Sequence, residues 1–138
     1  MNKKRGFTLL EMLIVLVVIA VLAAFAFPSY QGYVRKAKRA DAMDALLTIQ
    51  NLQEKWRANN PEYSNDLAEI GYGESGDSME GYYSVAIVAG STATKYVITA
   101  TAQGDQASDR AGGTSCTALT ITVDAANPRG DKTPVECW

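Results

Sequence analysis

From Phe7 to Phe27 the chain carries only two polar side chains, Thr8 and Glu11. Coiled as an α-helix, this run extends roughly 31 Å at about 1.5 Å per residue, enough to cross a bilayer core of about 30 Å. In a chain of 138 residues no soluble core can enclose such a segment, so its surroundings must be lipid or other apolar helices. A cleaved secretory signal would have a shorter apolar region, of about 7–15 residues, before a small-residue cleavage site. Ala23, Ala24 and Ala26 offer small residues, but the run is longer than that pattern requires. Glu11 stands out within it. An ionisable group in a membrane-length helix marks a functional position, unless it lies close enough to the helix end to reach the interface.

Pro28 lacks an amide proton and ends or kinks the apolar run. Ser29 to Asn59 is rich in good helix formers. Within it Ala42, Ala45, Leu46, Ile49 and Trp56 recur on one face, as an amphipathic helix packed on a core requires. Tyr30, Tyr33, Val34 and Ala37 occupy another face, toward lipid headgroups or other subunits. Asn59, Asn60 and Pro61 close the helix. Glu62 to Glu80 reads as a loop, rich in Gly, Ser and acid and without Lys or Arg.

Three β-branched or aromatic runs follow, Tyr82 to Val88, Lys95 to Ala102 and Cys116 to Val123, each with the composition of a strand. Tyr83, Val85 and Ile87 alternate onto one face, as do Leu119, Ile121 and Val123. Ala89 to Thr94 makes a hairpin connection, and Gln103 to Ser115 a longer polar one. Asp124 to Trp138 reads as an irregular tail. The expected fold is α+β: a long N-terminal helix with a protruding hydrophobic half, its C-terminal half packed on a small antiparallel sheet, and a tail closed by a disulfide. Residues 1–6 form a short basic leader, 7–28 the hydrophobic helix and 29–138 the globular head.

Composition narrows the chemistry. The chain has no histidine, which removes the commonest general base and transition-metal ligand. Two cysteines, Cys116 and Cys137, are too few for a zinc site. In a small exported domain such a pair reads as one disulfide. There is no Gly-rich phosphate loop and no nucleophile paired with a base, so the chain reads as a non-enzyme without cofactor or metal. With 13 basic against 15 acidic residues, net charge selects no partner.

The sequence Gly6-Phe7-Thr8-Leu9-Leu10-Glu11, after the basic leader Lys3, Lys4 and Arg5, resembles the start of type IV prepilins and type II secretion pseudopilins. The resemblance implies cleavage between Gly6 and Phe7 by prepilin peptidase, N-methylation of Phe7, and a head outside the cytoplasm. In that setting Glu11 of one subunit can neutralise the α-amine of its neighbour in a filament of packed helices, a pairing that low dielectric strengthens. Farther along, Pro28-Ser29-Tyr30, Gln53-Glu54, the turn from Asn60 to Tyr63, the run from Tyr96 to Ala102, Gln106, Asp109 and the closing Cys137-Trp138 resemble the PilE class of minor pilins. The stretch holding Gly112 and Gly113, between Asp109 and Cys116, is longer than that class leads one to expect.

The family implies a structural subunit of a type IV pilus, a minor pilin serving pilus assembly, twitching motility, adhesion or DNA uptake. The alternatives are a major pilin, a DNA-binding competence pilin and a type II secretion pseudopilin. Implied partners are the peptidase, other pilin subunits, the inner-membrane assembly machinery and the membrane before assembly. The protein would lie in the bacterial inner membrane as a single-pass precursor with its head in the periplasm, and in the extracellular filament afterwards. The basic run Arg35, Lys36, Lys38 and Arg39 is the candidate contact for acidic headgroups, nucleic acid or another subunit, with a solvated helix face as its plain alternative. It also balances the leader's charges, so the positive-inside rule does not set orientation. Arg129-Gly130-Asp131 spells an integrin tripeptide, a match of a length that recurs by chance. Asp124 and Asp131 lack the ligand spacing of an EF-hand.

Overall fold

The computed structural model describes residues 7–138. Helix α1 spans Leu9–Arg57 without interruption. Pro28 therefore does not end it: the ring removes one backbone donor, and the helix continues on both sides. The chain divides into two units, one reaching Val34 and one running from Arg35 to Trp138. In the first, every described side chain from Phe7 to Tyr33 is exposed. Near its N-terminus α1 is long and apolar enough to cross a membrane.

In the second unit, Ala42, Ala45, Leu46 and Ile49 of α1 are buried, and Trp56 is half-buried against the same core. They face a four-stranded antiparallel sheet of β1 (Tyr83–Val88), β2 (Tyr96–Ala102), β5 (Ala118–Val123) and β6 (Asp131–Thr133), in the order β1-β2-β5-β6. Register pairs Val85 with Ala100 and Ala100 with Leu119. Directly opposed residues share a face, so the alternating residues Tyr83, Val85, Ile98, Leu119, Ile121 and Val123 close the core together. Both cysteines are buried in it and joined, with their Cα atoms 5.6 Å apart. The tie closes a loop of sequence separation 21, a length associated with about 3 kcal/mol of stabilisation.

Two parts of this unit differ from the sequence expectation. The polar connection after β2 holds a 3-10 turn, Gly104–Ser108, and a two-stranded hairpin of β3 (Arg110–Ala111) and β4 (Thr114–Ser115). Gly112 and Gly113 turn that hairpin at φ 56 and 93, the positive values at both positions that a type I′ connection requires. The tail is also not irregular throughout. Asp131–Thr133 pairs with β5, and Val135–Cys137 forms a 3-10 turn. Three polar residues are too few to show alternation, and their pairing follows from the closed loop that carries them.

Gly130 gives the Arg129-Gly130-Asp131 tripeptide a structural reading. Its φ is +85, and a Cβ there would lie 2.6 Å from Ile121 Cγ2 and 3.2 Å from Val123 Cγ2. Gly130→Ala combines backbone strain with overpacking, and is expected to cost about 1–3 kcal/mol. A urea titration in which the midpoint did not move would refute this.

Candidate functional site

The basic run does not form one exposed patch. Lys36 is exposed, and Lys38 places its Nζ 4.2 Å from the centroid of the Tyr82 ring. Arg35 is half-buried, and its carbonyl accepts a hydrogen bond from Gln106 Nε2 at 2.8 Å. Arg39 corrects the sequence reading outright: it is 4 % exposed and unavailable to headgroups or partners. It lies three residues before Ala42, on the core stripe of α1, where a charge needs a partner. Asp109 supplies one, accepting from Arg39 Nε at 2.7 Å and from Nη2 at 3.0 Å. The remaining nitrogen, Nη1, donates to the Cys137 carbonyl at 3.2 Å. This is the one ion pair among the described residues.

A different set of cations collects at the end of the sheet where Val88 pairs with Val97 and Tyr96 with Val123. That register places the β1–β2 connection, 89–95, beside the β5–β6 connection, 124–130. One stripe of α1, Gln50, Glu54 and Arg57, runs alongside. Gln50 Nε2 donates to the Arg129 carbonyl at 3.1 Å. Arg57 donates to the carbonyls of Ala93 at 3.0 Å and Asn60 at 2.7 Å.

The β1–β2 connection is held from its other side as well. Gly90 and Ser91 donate their amides to Asn65 Oδ1 at 3.0 and 2.9 Å. Ser91 Oγ donates to the Ser64 carbonyl, and the Tyr63 amide to the Thr92 carbonyl, both at 3.1 Å. Ser64 is in turn fixed by Gln53, whose amide group donates to its carbonyl and accepts from its N–H. The result is a rigid platform carrying Arg57 and the exposed Lys95 and Arg129, while Lys55 lies on another face of α1, beside Glu69. Nearby carboxylates are occupied in turns and local contacts. Asp124 accepts the amides of Ala126 and Asn127, Asp131 accepts from the Asn127 side chain, and Glu54 accepts from the Tyr63 hydroxyl. The adjoining cleft around Trp56 is instead lined by Glu62, Asp66 and Glu69, so anions are repelled on that side.

Tyr63, Tyr72, Tyr83 and Tyr96 all have phenol pKa values raised, chiefly by burial, with nearby carboxylates adding to it. Each keeps its proton to higher pH in the fold than in the unfolded chain. Their contribution is therefore complete below the unfolded value of 10.0 and is lost as pH rises through the higher folded values. The melting temperature is expected to be insensitive to tyrosine titration up to about pH 10 and to fall above it. A curve flat through pH 12 would contradict this.

The remaining sequence-derived positions are placed as follows. Gly6 lies outside the described residues. Phe7 is 74 % exposed. The Glu11 amide donates to Thr8 Oγ1 at 3.2 Å, so Thr8 caps α1 and Glu11 sits in its first turn. Tyr30 and Tyr33 are exposed.

Residues 1–27 match the prokaryotic N-terminal methylation motif. Residues 28–120, most of the chain, match the family described as type IV minor pilin ComP, DNA uptake sequence receptor. The chain belongs to this family. It is a type IV minor pilin, which agrees with the minor-pilin reading of its sequence, and the family that carries the agreement is that of ComP. No curated protein matches. Type IV pilins are in general not enzymes. An apolar N-terminal helix in this minor pilin fits anchoring in a membrane and a place in a pilus filament. The sequence reading missed Lys95, Arg57 and Arg129 as a group, because they come from three separate segments that only strand register brings together.

Proposed function

We propose that this minor pilin binds DNA at the sheet end carrying Arg57, Lys95 and Arg129, and serves DNA uptake from a type IV pilus. The observation that carries the proposal is that Lys95 and Arg129 are exposed, outside any ion pair among the described residues, and mounted on two connections whose backbone is held by the side chains of Gln50 and Asn65. Phosphate binding releases counterions, and a platform already ordered spends little conformational entropy on binding. A net charge of -2 gives no general attraction for DNA, so the contact depends on this local arrangement. The family's description as a DNA uptake sequence receptor supports the same reading.

The rest of the pilin programme follows from the N-terminal segment. Prepilin peptidase removes residues 1–6, Phe7 becomes the methylated N-terminus, and the precursor is a single-pass inner-membrane protein with its head in the periplasm. The subunit then enters the filament, where Glu11 pairs with the amine of a neighbour. Its partners are other pilins and the assembly machinery.

Binding of the full-length protein, in detergent, to duplex DNA over a range of salt tests the nucleic-acid proposal. Lys95→Ala and Arg129→Ala should each flatten the dependence of log K on log salt by about one. No binding at low salt, or a slope unchanged in both variants, would sink it.

A further inference from the structure

The disulfide joins the ends of one segment, 116–137, that contains β5, the 124–130 connection with Arg129, and β6. A crosslink fixes those ends to each other. It does not say where the closed segment sits on α1. Pairing with β2 gives β5 its place in the sheet, and the Arg39–Asp109 pair ties the disulfide-closed end of the segment to α1. The Asp109 carbonyl accepts the Cys116 amide at 3.0 Å, while its carboxylate takes two nitrogens of Arg39. The third nitrogen of Arg39 reaches the Cys137 carbonyl. One guanidinium therefore holds both half-cystines, Cys137 directly and Cys116 through Asp109. Gln106 steadies the turn before Asp109 by donating to the Arg35 carbonyl and the Tyr83 hydroxyl, at 2.8 and 2.9 Å.

The far end of the segment is gripped once more, by Gln50 on the Arg129 carbonyl. Arg39 and Gln50 lie roughly 16 Å apart along α1 at about 1.5 Å per residue. Two grips at that separation define position and tilt, which one cannot. A planar fork on a carboxylate accepts essentially one orientation, and both partners are buried, with side chains 5 % and 2 % exposed.

We infer that Arg39 and Asp109 are positioning residues that set the disulfide-bounded segment on α1, and with it the place of Arg129 at the DNA-contacting end. The functional half of this inference rests on the DNA-binding proposal above; the positional half does not.

The test uses full-length Asp109→Asn, which keeps the shape and removes the charge, and Arg39→Lys, which keeps the charge and removes the fork. Arg39→Lys is the milder change and serves if Asp109→Asn fails to fold. A thiol assay first confirms that Cys116 and Cys137 remain joined. Hydrogen exchange should then quicken at least about tenfold more in residues 118–133 than in β1 and the 42–53 stretch of α1. The salt slope of DNA binding should fall by about one, as in Arg129→Ala. Exchange that quickens equally across the whole head would overturn the positional assignment and leave a merely structural pair. Local quickening with DNA affinity and slope unchanged would overturn the link to Arg129. Wild-type protein that binds no DNA would remove the functional half, while the exchange measurement would still decide the positional half.

Discussion

Asp109→Ala is expected to lower the stability of the head by about 3–5 kcal/mol, the range for removing one partner of a buried ion pair. The loss is large because Arg39 cannot escape to water: it is 4 % exposed and anchored on the core face of α1. Without Asp109 its charge keeps one carbonyl partner, on Cys137. For a head of about a hundred residues, whose total stability is of order 5–15 kcal/mol, this is a severe lesion. The double variant Arg39→Met with Asp109→Leu should recover much of the loss, since replacing a whole buried pair by apolar groups is often neutral. Chemical denaturation of the two proteins provides the comparison. If the double variant were as unstable as the single one, the uncompensated charge would not be the cause.

Glu11→Leu is expected to enter membranes as well as the wild type and to be depleted in filaments by at least about tenfold, which corresponds to about 1.4 kcal/mol of lost pairing. A unit charge pair at about 4 Å in a surface-like dielectric is worth more than that, about 4 kcal/mol. The rival account gives Glu11 a local role only. It occupies the first turn of α1, where an acid interacts favourably with the helix dipole by about 0.3–1 kcal/mol, and Thr8 already caps that turn. On the rival account leucine would fray the helix start and leave assembly almost unchanged. Glu11→Gln separates the two further, because it hydrogen-bonds without charge and should assemble to an intermediate extent. Quantifying the protein in membrane and sheared-filament pools decides: a wild-type ratio for Glu11→Leu would leave Glu11 as a helix-end residue.

The parts of the fold legible in the sequence are those written in periodicity. The α1 stripe at Ala42, Ala45, Leu46 and Ile49, the alternation of Tyr83 and Val85, and that of Leu119, Ile121 and Val123 all face the core. The illegible parts are the polar residues that behave like core. Helical spacing from Ala42 brings both Lys38 and Arg39 near the core stripe, so periodicity alone does not say which of the two is buried. Only the arrival of Asp109, seventy residues later in sequence, makes burial affordable. Gln53, Gln106 and Asp109 were noticeable as points of resemblance, yet their work lies in contacts of long sequence separation that a linear reading cannot supply. The cations at the sheet end were hidden for the same reason, since strand register, and not spacing, gathers them.

The first part of α1 presents apolar side chains around its whole circumference, with no favoured stripe. To such a cylinder an acyl chain and a neighbouring helix of the same kind are nearly equivalent solvents, because lipid tails are as apolar as leucine. Trading one for the other returns little hydrophobic free energy in either direction. The exchange is therefore close to reversible, and small biases of van der Waals fit or charge can drive it both ways. A helix with one oily and one polar face would lack this property, being held to whichever medium matched its stripe.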